Sequence, residues 1–193
     1  ANQKHRHFYF SANSNNTLLD TTFKIMDMTL KNGKPSSTTH GGSVYMDGYW
    51  ENNYGNKGHG PLFQNVVFEG NQTKWTSNNH GYRGGAMWVY RSTPYFRDVT
   101  FKNNMADGHT GGAVHVESAD TNKTLMFERT TFTGNYLNNP DKEHWKRGGA
   151  IYLSEYGKAV FESSVFDSNY IAINGEYTNE GGALHSRHNY DSL

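Results

Sequence analysis

The side chains of this 193-residue chain that could do chemistry recur in a column. Tyr45, Trp88, His115, Tyr152 and His185 each stand four residues after the first glycine of a Gly-Gly pair, and Tyr9 falls in line as a sixth. Alternation along a strand points them outward, so an exposed aromatic stripe is expected. Planar rings at regular spacing can stack on a sugar face, on a partner, or on each other. Self-stacking alone stabilises a sheet and is reason enough for such a column. Two positions further on lie Asp47, Tyr90, Glu117, Ser154 and Arg187, which would give the same surface hydrogen-bonding partners.

A catalytic pair within these columns would have to be Asp47 and Glu117. They are two repeats apart, about 10 Å by strand spacing, near the upper limit for inverting carboxylates. His115 lies beside them, but Tyr90 takes the place where a catalytic water belongs. No tight acid cluster suggests calcium, and no lysine or arginine is poised as a base. Scattered surface acids account for these residues, and no catalytic residue is assigned. His5 with His7, and His185 with His188, could hold a metal if they converged. With no cysteine and no nearby carboxylate they do not reach a four-ligand set, so neither metal nor cofactor is expected.

The elements that position these columns follow from internal repetition. Gly41-Gly42, Gly84-Gly85, Gly111-Gly112, Gly148-Gly149 and Gly181-Gly182 each open an alternating run such as Ala150-Ile151-Tyr152-Leu153. This is a half-buried strand. Between the pairs runs a second phrase: Phe63, Phe68 and Asn71; Phe96, Phe101 and Asn104; Phe127, Phe132 and Asn135; Phe161, Phe166 and Asn169. A spacing of five would place the two phenylalanines on opposite faces of a flat strand, so a corner must lie between them. Strand, corner, strand and turn within about thirty residues is too short a unit for separate hairpins, and coiling is the economical solution. The expectation is an all-β, single-stranded parallel β-helix of about five coils plus a partial terminal coil. Residues 1–24 are the N-terminal partial coil and 25–193 the repeats, forming one domain together.

Each inward position then becomes a column of like residues. Phe68, Phe101, Phe132 and Phe166 stack in one, the other phenylalanines in a second. Asn71, Asn104, Asn135 and Asn169 form an amide ladder that satisfies the turn's backbone groups, as a repelling column of Asp could not. In each glycine pair a positive φ, or a close approach to the neighbouring coil, excludes a β-carbon. The first coil is atypical, with Ile25, Leu30 and Gly33 in the places of Phe, Phe and Asn. Loops bulge outward between each Asn and the next Gly-Gly, short over Met105 to Thr110 and long over Tyr136 to Arg147, and Asn52 to Gly60 is a further long loop. Sequons occur at Asn15, Asn71 and Asn122. Asn71 belongs to the ladder, which leaves Asn15 and Asn122 as the glycosylation candidates.

Eighteen basic and eighteen acidic residues cancel, leaving no electrostatic footprint for nucleic acid or anionic lipid. No apolar run is long enough to span a membrane, and no signal-peptide core opens the chain, so a soluble chain, already processed or excised, is expected. Zero cysteines leave the redox compartment open.

Gly-Gly-Ala-(Ile, Leu, Val) in step with Phe-x-x-Asn, over roughly residues 25–186, resembles the repeat of the chlamydial polymorphic outer membrane proteins. The resemblance implies a right-handed parallel β-helix in a secreted or surface-displayed passenger used for adhesion. The membrane barrel and the cysteines of those proteins have no counterpart here. The expected function is a non-enzymatic, extracellular or cell-surface adhesin that contacts a host-surface protein or glycan through its aromatic stripe and long loops. A structural subunit stacking end to end into homo-oligomeric filaments is the alternative, and a polysaccharide lyase or glycoside hydrolase the third.

Overall fold

A computed structural model describes residues 5–12, 18–35, 39–51, 55–74, 82–117, 123–138, 145–154, 158–172 and 179–187. The chain forms an all-β parallel β-solenoid of about four turns, without a helix among the described residues. One face, A, is a six-stranded sheet of Phe8–Ser11, Val44–Asp47, Met87–Tyr90, Val114–Glu117, Ile151–Ser154 and Leu184–Arg187, each paired in parallel with its neighbour. The phenylalanine phrases build the other two faces. Lys24–Lys31 and Leu62–Glu69 run through the corner as single strands. Later coils split there into Tyr95–Arg97 and Thr100–Lys102, Leu125–Glu128 and Thr131–Thr133, Ala159–Glu162 and Val165–Asp167.

The expected corner is made by a residue in the left-handed region, two positions after the first Phe. Asn65, Asp98, Arg129 and Ser163 hold φ values of 51°, 54°, 47° and 50°, and Asp27 does the same in the first coil at 55°. Asn, Asp and Ser tolerate this region through local hydrogen bonding. A second left-handed residue precedes each ladder position, and the first glycine of each pair supplies the third. These three recur in every coil, and Arg91 at 49° adds a fourth just after Tyr90.

Inside the solenoid both phenylalanine columns stack as expected. Phe68, Phe101, Phe132 and Phe166 lie 4.8, 4.9 and 4.8 Å apart with nearly parallel rings. Phe63, Phe96, Phe127 and Phe161 follow at 5.4, 4.8 and 4.8 Å. Burying each ring contributes about 2–3 kcal/mol, and stacking adds about 0.5–1.5 kcal/mol per pair.

At Asn71, Asn104 and Asn135 the ladder accounts for the backbone N–H and both side-chain amide protons. Asn104 Nδ2 donates to Phe68 O in the coil below and to Asn135 Oδ1 in the coil above, both at 2.9 Å. Its Oδ1 accepts from Asn71 N at 3.0 Å and Asn71 Nδ2 at 2.9 Å. The same pattern links Asn135 to Asn169. A carboxylate could accept these bonds but could not pass them on. The ladder stops below at Gly33, whose N donates to Asn71 Oδ1 at 2.8 Å and which offers no side chain of its own.

The two ends differ. At the first coil Ile25 and Leu30 are buried, Phe8 and Phe10 pack on the core, and Phe23 meets Phe10 edge-on at 6.0 Å. At the last coil Phe161, Phe166 and Leu184 are half-exposed.

The glycines of a pair do different jobs. Gly84 is left-handed at φ 67°, and a β-carbon there would strike the carbonyl of Met87. Gly85 has no positive φ, but its β-carbon would overlap the carbonyl oxygen of Gly112 in the next coil. Gly182 has no described coil above it, and the nearest atom to its β-carbon is Asn169 O at 3.9 Å. Gly85→Ala is therefore expected to cost about 3 kcal/mol or more, through overpacking against backbone that cannot yield. Gly182→Ala is expected to change stability by less than about 1 kcal/mol. Urea midpoints of the two variants check this, and equal shifts would contradict the stacking constraint.

Candidate functional site

Face A alternates as its sequence predicts. Val44, Met46, Met87, Val89, Val114, Val116, Ile151 and Leu153 join the core, and the rings between them point the other way. Register aligns Tyr9 with Tyr45, Tyr45 with Trp88, Trp88 with His115, His115 with Tyr152, and Tyr152 with His185. Stacking runs along the column: Tyr9 to Tyr45 at 4.8 Å, Tyr45 to Trp88 at 4.6 Å, His115 to Tyr152 at 5.1 Å and Tyr152 to His185 at 5.4 Å.

The expected exposure does not follow from that orientation. Tyr9 is 60% exposed and Tyr45 and His185 are partly so, but Trp88, His115 and Tyr152 retain only 7%, 1% and 6% of their surface. The stripe points away from the core and is covered over its middle. The cover is a second column that sequence reasoning missed, the residue immediately before each glycine pair: His40, Arg83, Thr110, Arg147 and Glu180. Backbone bonds carry it from coil to coil, with the glycine N of one repeat donating to the carbonyl of this residue in the next. These are Gly41 to Arg83, Gly84 to Thr110, Gly111 to Arg147 and Gly148 to Glu180, at 3.1, 3.3, 3.1 and 3.0 Å. The left-handed glycine turns the chain into face A, and side chains of this second column reach the outward rings. His40 stacks on Trp88 at 5.0 Å, and Thr110 Oγ1 is 2.8 Å from His115 Nδ1. The signal was available, because all five positions are polar.

Between the two columns lies a cleft of about 340 Å³, lined by Arg83, His115, Glu117, Trp145, Arg147 and Arg187 among others. Trp145 stands at its edge, 46% exposed, with the Arg147 guanidinium 4.9 Å from its ring centre. Trp145 and Arg147 belong to the predicted Tyr136 to Arg147 loop, of which residues 139–144 lie outside the described residues. The other predicted loop, Asn52 to Gly60, is described from Gly55 onward and does not line this cleft.

Partners fix the state of the buried groups. His115 Nε2 faces Glu117 Oε2 at 3.2 Å, while the same carboxylate oxygen accepts from Arg83 at 2.6 Å. With the imidazole kept neutral by burial, Nε2–H donates to Glu117 and Nδ1 accepts from the Thr110 hydroxyl. Burial pushes His115 down to about 4. Burial works to raise the Glu117 carboxyl, but the hydrogen bond from His115, the charge His115 carries once it is protonated in acid, and the charge of Arg83 outweigh it and bring Glu117 to about 2. His40 is likewise brought to about 4, chiefly by burial. Its Nδ1 accepts from Arg83 N at 3.1 Å, a bond that protonation would break.

The structure does not bring Asp47 and Glu117 together. They align with Tyr90 from opposite sides, one rung away each, and Glu117 is engaged by Arg83 and His115. Asp47 is raised by burial, an effect that Arg91 opposes. Neither carboxylate has the free, water-facing geometry of an acid or base pair. His7 Nδ1 is bonded to Ser43 Oγ at 2.9 Å, and His188 lies outside the described residues. Among the described residues no group of three His, Cys, Asp or Glu could hold a metal, and no helix is long and apolar enough to cross a membrane. Asn71 is fully buried in the ladder, while the sequons at Asn15 and Asn122 lie outside the described residues.

These features define the chain as a β-helix protein. No family model, curated protein or solved structure matches it.

The histidines predict a pH response. A histidine whose folded value lies below 6.5 favours the neutral form in the fold, so its contribution is present above pH 6.5 and is lost as pH falls toward 4. His40 and His115 each contribute on the order of 3 kcal/mol across that window. Glu117, held low, loses its contribution only below about 4.5 and so stays ionised through most of it. Urea stability is therefore expected to fall between pH 6.5 and 4, and His40→Gln and His115→Gln should each flatten the slope. An unchanged slope in both variants would contradict the neutral assignment.

Proposed function

We propose that this β-helix is a non-enzymatic, adhesin-like binding module, secreted or displayed at a cell surface, that takes a glycan of the host surface into the cleft on face A. The observation that carries this reading is Trp145, a large exposed ring held by Arg147 at the rim of a concave, polar cleft. A sugar presents an apolar face to such a ring and hydroxyls to the polar groups beneath. The rest of the aromatic column supports the site from below. The resemblance to the polymorphic outer membrane protein repeat supports the same reading.

Catalysis is less well served by this arrangement. His115 has both nitrogens engaged and almost no exposed surface, and Glu117 is already ion-paired. A base that cannot reach its substrate's proton contributes nothing. The filament alternative meets a mismatch between the two ends. In a head-to-tail contact the N and Nδ2 of Asn169 would face Gly33 of the next molecule, which has no amide to receive them. Unmet buried donors of this kind cost about 1–3 kcal/mol each.

Trp145→Ala is expected to weaken binding to immobilised oligosaccharides at least tenfold while shifting stability by less than about 1 kcal/mol. A glycan array read alongside thermal unfolding checks this. Absence of glycan binding by the wild type, or full retention by the variant, would remove the reading. Sedimentation velocity should give one species across a hundredfold concentration range. A coefficient that grows with concentration would revive the filament.

A further inference from the structure

Resting on the glycan reading above, we infer that the cleft selects acidic sugars, and that Arg187 receives their carboxylate. The chain as a whole is neutral, with eighteen basic and eighteen acidic residues. The cleft is not. Among the described residues three guanidinium groups, Arg83, Arg147 and Arg187, and one carboxylate, Glu117, line it, while Glu180 pairs with Arg147 from outside the lining. Of the two histidines that line it, His115 adds no charge at neutral pH, because burial holds its imidazole neutral between Thr110 and Glu117. Concave walls concentrate such a local excess and draw an anion inward.

The three arginines are not equivalent. Arg83 is committed to Glu117 at 2.6 Å, and Arg147 to Glu180 at 2.7 Å while its guanidinium lies against Trp145. These two are pinned and shape the walls. Arg187 is the last residue of the strand Leu184–Arg187, is exposed, and its side chain makes no ion pair or hydrogen bond with any described residue. Register places it directly beside Ser154. A guanidinium with no ion pair among the described residues, next to a hydroxyl and in a cleft that also presents the Trp145 ring, matches a pyranose bearing a carboxylate. The ring takes the sugar face, and the planar fork takes the carboxylate through two parallel hydrogen bonds. Neutral sugars would leave Arg187 without a partner. Uronic acids and sialic acids share this chemistry, and their different attachment of the carboxylate separates them experimentally.

The test uses the full chain with two matched ligand pairs: sialyllactose against lactose, and trigalacturonate against its carboxyl-reduced galactose trimer, titrated at 150 mM salt. The acidic member of at least one pair is expected to bind at least tenfold tighter than its neutral counterpart, and which pair shows the preference names the source. Arg187→Gln should bring that ratio close to one, with an unchanged unfolding midpoint, since Arg187 supports nothing in the fold. Arg187→Lys should restore only part of it, because an ammonium cannot form the paired bonds. Equal affinity for acidic and neutral members, or a ratio that survives Arg187→Gln, would overturn the acidic assignment and leave glycan binding standing. Failure of every one of the four sugars to bind would overturn both.

Discussion

Close approach of one coil to the next is the constraint on which everything else depends. At Gly42, Gly85, Gly112 and Gly149, the second glycines of the first four pairs, the backbone of the following coil occupies the space that a β-carbon would need. That contact sets the spacing at which Asn Oδ1 meets both the N and the Nδ2 of the asparagine below, and at which phenylalanine rings stack near 4.8 Å. One interaction thus depends on another. Loosening the glycine contact would lengthen the ladder bonds and separate the rings together, because all three columns share one repeat distance.

The same regularity explains how a fold made of ladders acquires an irregular site. Face A repeats its inward residues strictly, while its outward positions and the residues before the glycines are free to vary in type. Polar, aromatic and charged side chains meet there in a fixed geometry and differ from coil to coil. Near the first coils the result is aromatic packing, with Tyr9, Tyr45 and Trp88 stacked and the Arg6 guanidinium 5.1 Å from the Tyr45 ring centre. Near the later coils it is the Arg-rich cleft. The scaffold supplies position and the variable residues supply chemistry.

Electrostatic matching is local. Arg97 pairs with Glu128 across a rung at 2.8 Å as its register predicts, whereas Glu69 takes Lys31 from the coil below at 3.2 Å although Lys102 is its neighbour above. Such exposed pairs contribute little individually. The Arg83, Glu117 and His115 group is half-buried and more consequential, because it ties the pre-glycine column to the outward column and keeps an ionised acid beside a neutral imidazole.

Reading the residues in order was enough to determine the repeat, the corner between the two phenylalanines, the identity of each inward column, the ladder and the atypical first coil. All of these are periodic, and a period is visible in one dimension. Orientation of the aromatic column was legible too, since alternation along a strand decides it. What no one-dimensional pattern could decide was exposure. Whether Trp88, His115 and Tyr152 face solvent depends on how far the glycine turn brings His40, Thr110 and their neighbours over them, a distance set by packing between coils. Nor could sequence place Trp145 at the cleft, because the stretches between Asn and Gly-Gly do not repeat in type: in the equally long stretch 72–83 the matching position is Gly81. Period decides what lies along each column, and only the folded coil decides which columns meet.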